Sequence, residues 1–162
     1  MSNEDVHMVD LDKPAKKIFV QSLQQTYADN LGVFFDPRVV RRVKECIVDK
    51  VKQGVVEDGL VYRDLVRDSG VPSWMGHQEV LGPVLALVSL QSYEEDYILL
   101  SSLTRQTTNQ LPPTKDFCEL LENLGLVRSR EVQAECLEVW DYHWKKAISQ
   151  VELRARSTKR SL

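Results

Sequence analysis

The sequence predicts a mainly α-helical fold with a small β-hairpin, a helix-turn-helix core flanked by additional helices, and a long C-terminal helix. Three observations carry this expectation. Apolar residues recur at three- and four-residue intervals through most of the 162 residues, the spacing of one buried helix face. Gly32, Gly54, Gly70 and Gly125 stand just after such runs, where helices end. Only residues 97–104 form an apolar run of strand length, with Thr107, Thr108 and Asn109 as a turn behind them.

Residues 1–12 carry Glu4, Asp5, Asp10 and Asp12 without apolar periodicity and are expected to be a mobile acidic tail. A first helix follows, with Asp12 as its cap, Pro14 near its first position, and Ile18, Phe19, Leu23 and Tyr27 at helical spacing. Asp36 and Pro37 start a second helix that runs to Gln53. Its Val40, Val43, Ile47 and Val51 make an apolar stripe, and Arg38, Arg41, Arg42, Lys44, Lys50 and Lys52 cover much of the rest. Such a basic flank is either the solvated face of a core helix or a surface for phosphate or an acidic partner.

Residues 55–60 read as a turn or short strand. In residues 62–72, Tyr62, Leu65 and Val66 define a short amphipathic helix, Gly70 closes it, and Val71-Pro72 forces an extended exit. The helix from Val80 to Asp96 is apolar on nearly every side and belongs at the centre of the fold. Thr114 caps a helix over 115–124 with Phe117, Leu120, Leu121 and Leu124 inward. Ser129 is the expected cap of the last helix, whose stripe is Val132, Cys136, Trp140, Trp144, Ala147 and Val151. One domain over 13–156 results, with a basic frayed tail over 157–162.

A composition of 43% hydrophobic and 28% charged residues fits a soluble globular chain. The net charge of -3 lacks the basic excess usual in nucleic-acid binders, so any such surface must be local. Three cysteines, Cys46, Cys118 and Cys136, suit buried thiols in a reducing, cytoplasmic setting. No basic leader precedes an apolar run, and the longest apolar stretch is interrupted by Gly82, Pro83 and Ser89. It falls short of the roughly 20 residues of a membrane helix, so no membrane partner is expected.

Chemistry-bearing patterns are sparse. His7, His77 and His143 are scattered, with neither a Cys-x-x-Cys nor a His-Glu-x-x-His pattern, so no metal or other cofactor is expected. The cysteines fall on or beside apolar helix stripes, and no glycine-rich phosphate loop occurs. A non-enzymatic protein follows from these readings. Trp140 and Trp144, four apart on the last helix, belong to core or interface packing. His77 and Glu79, before the central helix, hint at a surface site.

Tyr62, Leu65, Gly70 and Pro72, followed by the pair Leu81-Gly82 and an apolar helix, resemble the winged-helix domain of the DNA alkyltransferases and alkyltransferase-like proteins. The resemblance covers residues 59–113 and implies a helix-turn-helix with a hairpin wing. Two departures limit it. Glu79 stands where the family places an arginine that enters the duplex, and residues 100–105 have no cysteine where the family's Pro-Cys-His-Arg site would follow. Alkyl transfer is therefore not carried over.

Two functions remain. The first is nucleic-acid binding, in the manner of a small regulator, through Arg38, Arg41, Arg42, Lys44, the wing residues Arg105 and Lys115, and the tail 154–160. The helix-turn-helix core favours it. The second is a protein-interaction or homo-oligomerisation module that uses the same core as scaffold, with Trp140 and Trp144 of the C-terminal helix at the interface. The acidic composition favours that one.

Overall fold

The structure is a computed structural model that describes residues 11, 13–56, 58–72 and 78–161, with side chains described as far as Glu152 except that of Gln78. The expected tail over 1–12, apart from Leu11, together with Asp12, His7, His77 and the side chains of 153–162, lies outside the described residues. Among the described residues there are six helices and two short strands. In order these are α1 (Lys17–Leu31), α2 (Pro37–Lys52), β1 (Leu60–Val61), α3 (Tyr62–Ser69), α4 (Gln78–Asp96), β2 (Thr104–Arg105), α5 (Lys115–Asn123) and α6 (Gln133–Ser161). The fold is mainly α with a long C-terminal helix, and no helix among these residues is long and apolar enough to cross a membrane.

α1 starts later than Asp12 and Pro14 predict: Lys16 is still extended before it, and the Ala15 N–H donates to the hydroxyl of Tyr93 at 2.7 Å. That bond holds the entering chain extended along α4. The buried stripe of α1 is Val20, Tyr27 and Leu31, while Ile18 and Phe19 stand largely in solvent, contrary to their expected inward place. α2 begins as its sequence dictates, with the Asp36 carboxylate accepting from the Arg38 N–H at 2.9 Å and Pro37 in the first turn. Val40, Val43, Ile47 and Val51 are buried.

α3 buries Tyr62, Leu65 and Val66 and ends at Gly70, whose φ of 73° is the left-handed closure expected of glycine. α4 lies at the centre, packed against α1, α2 and α5, with Leu81, Val84, Leu85, Leu87, Val88 and Leu90 all buried. Its polar exceptions, Ser89 and Ser92, are buried as well.

The hairpin expected over 97–113 is not what these residues form. β2 pairs with β1 in parallel, Leu60 beside Thr104 and Val61 beside Arg105, so the two strands come from segments far apart in the chain. The reason lies in residues 98–103, which are all buried. A two-stranded hairpin would leave one face of that run in water. Here it is inserted between α4 and α6, with Leu100–Leu103 as a 3-10 turn, and side chains satisfy its backbone instead of a β-ladder. Ser92 Oγ donates to Ile98 O at 2.5 Å and accepts from Leu100 N at 3.4 Å. Ser89 Oγ accepts from Ser101 N at 2.8 Å, His143 Nδ1 from Leu99 N at 3.2 Å, and Ser102 O from Trp140 Nε1 at 2.9 Å. Buried backbone groups need such partners, since each one left unpaired costs about 1–3 kcal/mol.

α5 is capped by Thr114 Oγ1, which accepts from Phe117 N at 3.0 Å. α6 starts at Gln133, so Ser129 and Val132 precede it rather than cap and open it. The buried Glu135 carboxylate accounts for the shift: it accepts from Arg128 N at 2.9 Å and Arg128 Nε at 2.6 Å, tying the preceding loop back onto the first turn. The C-terminal end departs too, since α6 continues to Ser161 through the region expected to fray.

Candidate functional site

The basic helix is built by Asp36 and Pro37 at its start and by its buried valine stripe, which turns the charged flank outward. Half of that flank is engaged by carboxylates. Arg38 pairs with its own cap residue Asp36 at 3.1 Å, Lys44 with Glu95 of α4 at 3.2 Å, and Lys50 with Asp68 of α3 at 2.6 Å. The hydrogen bonds from Arg67 and Lys50 hold the Asp68 carboxyl well below the usual carboxylate range. Arg41 and Arg42 are exposed and make no ion pair among the described residues.

The expected wing residues do not extend that flank through a hairpin. Arg105 sits in β2, half-buried, its side chain stacked over Gly59 and its Nε buried without a hydrogen bond among the described residues. Lys115 is exposed in the first turn of α5, beside Asp116. The six cations named from the sequence therefore divide into Arg38 and Lys44, held by carboxylates, Arg105, drawn into packing, and Arg41, Arg42 and Lys115, open to solvent. Glu79, in the first turn of α4, is exposed.

Trp140 and Trp144 lie with ring centroids 5.5 Å apart and planes tilted by 49°, and pack against the core, both half-buried. Trp140 is fixed further by its bond to Ser102 O. Their faces thus serve mainly the inside of the molecule. His143, between them in sequence, is buried, and burial pushes its imidazole down to about 3, with Lys146 adding to the effect. It stays neutral near pH 7 and acts as an acceptor for the buried turn. Its burial was not anticipated, although Cys136, Val139, His143 and Ala147 repeat at helical spacing.

All three cysteines are free and buried. Burial pushes the Cys118 thiol up to about 12, and Cys136 lies beside it. A thiol in that state is a poor nucleophile. Among the described residues no group of three or more His, Cys, Asp or Glu side chains could hold a metal ion.

The surface that sequence reasoning missed is the run Val33, Phe34 and Phe35 between α1 and α2. Val33 is 94% exposed and Phe34 48%, and Phe35 is exposed too. A shallow cavity of about 310 Å3 joins Val33 and Phe34 to Arg38, Arg42 and Pro72. A signal was present: three consecutive apolar residues, confined between Gly32 and Asp36-Pro37, belong to neither helix stripe. Large apolar side chains in a connection have no helix face to bury them.

No protein-family description, curated protein or solved structure matches this chain.

Proposed function

We propose that this chain is a non-catalytic interaction module that associates with a second copy of itself through the face formed by Val33, Phe34 and Phe35, rimmed by Arg38 and Arg42. One observation carries the proposal. Val33 is 94% exposed, and the large apolar side chains of Phe34 and Phe35 are exposed beside it, next to Arg38 and Arg42. An apolar centre with an arginine rim is the anatomy of an interface, and aromatic and arginine side chains there carry most of the binding energy. The tryptophans of α6, packed inward, act as scaffold in this reading. Sedimentation equilibrium over a range of concentrations tests it. The expected outcome is a reversible dimer that Val33→Asp abolishes without loss of helical content, since Val33 is solvent-facing in the monomer. A wild-type chain that stays monomeric at every concentration removes the proposal.

A second reading, nucleic-acid binding on a winged-helix-like scaffold, draws on Arg41 and Arg42, both exposed on α2, of which Arg42 shares a cavity with Phe34. Aromatic faces beside free arginines can stack bases. Affinity for generic duplex and single-stranded DNA at low and moderate salt decides it. Two neutralised phosphates give a log–log salt slope of about -1.8 on duplex DNA, and Arg41→Ala with Arg42→Ala flattens it. Absence of binding at low salt removes this reading.

A further inference from the structure

A cavity of about 390 Å3 opens between the C-terminal end of α4, the middle of α6 and the chain leading into α1. That volume lies within the range of small-molecule sites, about 300–1,000 Å3. Three properties separate it from an ordinary crevice.

The first is charge. Lys13 and Lys146 line the cavity and none of its described lining residues is acidic. Lys146 Nζ donates to Tyr97 O at 3.3 Å and lies 5.4 Å from the Tyr142 ring centroid, and an ammonium has two further protons to give. The second is the buried donor. His143 also lines the cavity, and because its Nδ1 accepts from Leu99 N, the ring proton resides on Nε2. The third is backbone strain. Tyr97 has a φ of 59°, the one positive φ at a non-glycine residue among those described. A bulky residue in that region is strained, and such outliers gather at ligand-contacting positions. Glycine or asparagine would close α4 at lower cost. The tyrosine instead places an exposed ring on the cavity wall, edge-on to Tyr93 with centroids 5.8 Å apart.

The remaining walls, Leu11, Pro14, Leu126 and Val139, are apolar. Cationic donors at one side and an aromatic and aliphatic lining elsewhere call for an anionic head on an apolar body. We infer that this cavity is a binding site for a small aromatic carboxylate, its carboxylate held by Lys146, Lys13 and the His143 Nε2–H and its ring against Tyr97 and Tyr142.

Benzoate and its neutral analogue benzamide, titrated at millimolar concentrations into the 15N-labelled full chain, test this by amide chemical shifts and thermal stability. Benzoate is expected to shift the amides of Tyr97 and residues 143–146 and to raise the melting temperature, with benzamide weaker by about tenfold or more. Lys146→Met, whose circular dichroism should match wild type, is expected to remove that preference. Tyr97→Gly keeps the fold, because glycine adopts a φ of 59° without strain, yet weakens benzoate binding. No shift with benzoate, equal binding of benzoate and benzamide, or a Lys146→Met variant that binds as wild type does, would each overturn the inference.

Discussion

At Gly82 a β-carbon would lie 2.7 Å from Asp116 Oδ2 and 2.9 Å from its Cγ. The carboxylate is not free to swing away, since Tyr62 Oη donates to the same oxygen at 3.2 Å. Gly82 therefore lets α4 approach the first turn of α5. Gly82→Ala is expected to destabilise the fold by about 1–3 kcal/mol through overpacking, measured by urea unfolding, and Asp116→Ala should relieve part of that cost in the double variant. His143 makes a second prediction at this scale. Its folded pKa, about 3, is below the unfolded value near 6.5, so the unfolded chain binds more protons between these limits. Stability contributed by the neutral imidazole is complete above about pH 6.5 and is lost as pH falls toward 3. The full effect is of the order of 5 kcal/mol at roughly 1.4 kcal/mol per tenfold change. His143→Gln, which keeps an acceptor for Leu99 N, should flatten the slope of stability between pH 6.5 and 4. The depressed carboxylates Asp36, Asp68 and Glu122 act lower, where stability is lost as pH falls below about 4.

Among elements, the buried run over residues 98–103 shows how an irregular segment is kept in a helical core. Its backbone is satisfied from both sides, by serines of α4 and by Trp140 and His143 of α6, so it acts as a clamp between the two helices. Trp140→Phe keeps most of the ring's packing but leaves Ser102 O without this donor. A loss of about 1–3 kcal/mol is expected, and a smaller one for Trp144→Phe, with chemical denaturation as the measurement. Equal losses would mean that ring packing, not the hydrogen bond, secures the clamp. The capped helix starts at Asp36 and Thr114 were legible because capping is a local interaction, decided within three residues. The starts of α1 and α6 were not. Each stands beside a contact that periodicity does not reveal: Tyr93, distant in sequence, for the chain before α1, and Glu135 for the loop before α6.

For the whole molecule, the contest between interaction and nucleic-acid binding becomes a question of how charges are shared between helices. α2 reads as strongly basic alone, but α3 and α4 bring Asp68 and Glu95 to it. Self-association through Val33–Phe35 predicts a dimer insensitive to moderate salt, because its centre is apolar. DNA binding predicts the opposite. A sedimentation series at two salt concentrations, run with and without duplex DNA, therefore separates the two readings independently of any variant.

Periodicity and local caps were enough for the helical class, the buried stripes of α2, α3 and α5, the glycine closure of α3 and the central place of α4, whereas only Cys136, Ala147 and Val151 of the expected α6 stripe are fully buried. Each of these depends on periodicity or on a cap within a turn's reach. Tertiary structure decided the rest: the parallel pairing of β1 with β2, the clamp over 98–103, the pairing of Lys44 and Lys50 of the basic helix with carboxylates of α4 and α3, and the cavity that joins Tyr97 to His143. These depend on which side chains meet across many residues of separation. Spacing along the chain states which face a residue occupies, whereas packing alone decides what stands opposite that face.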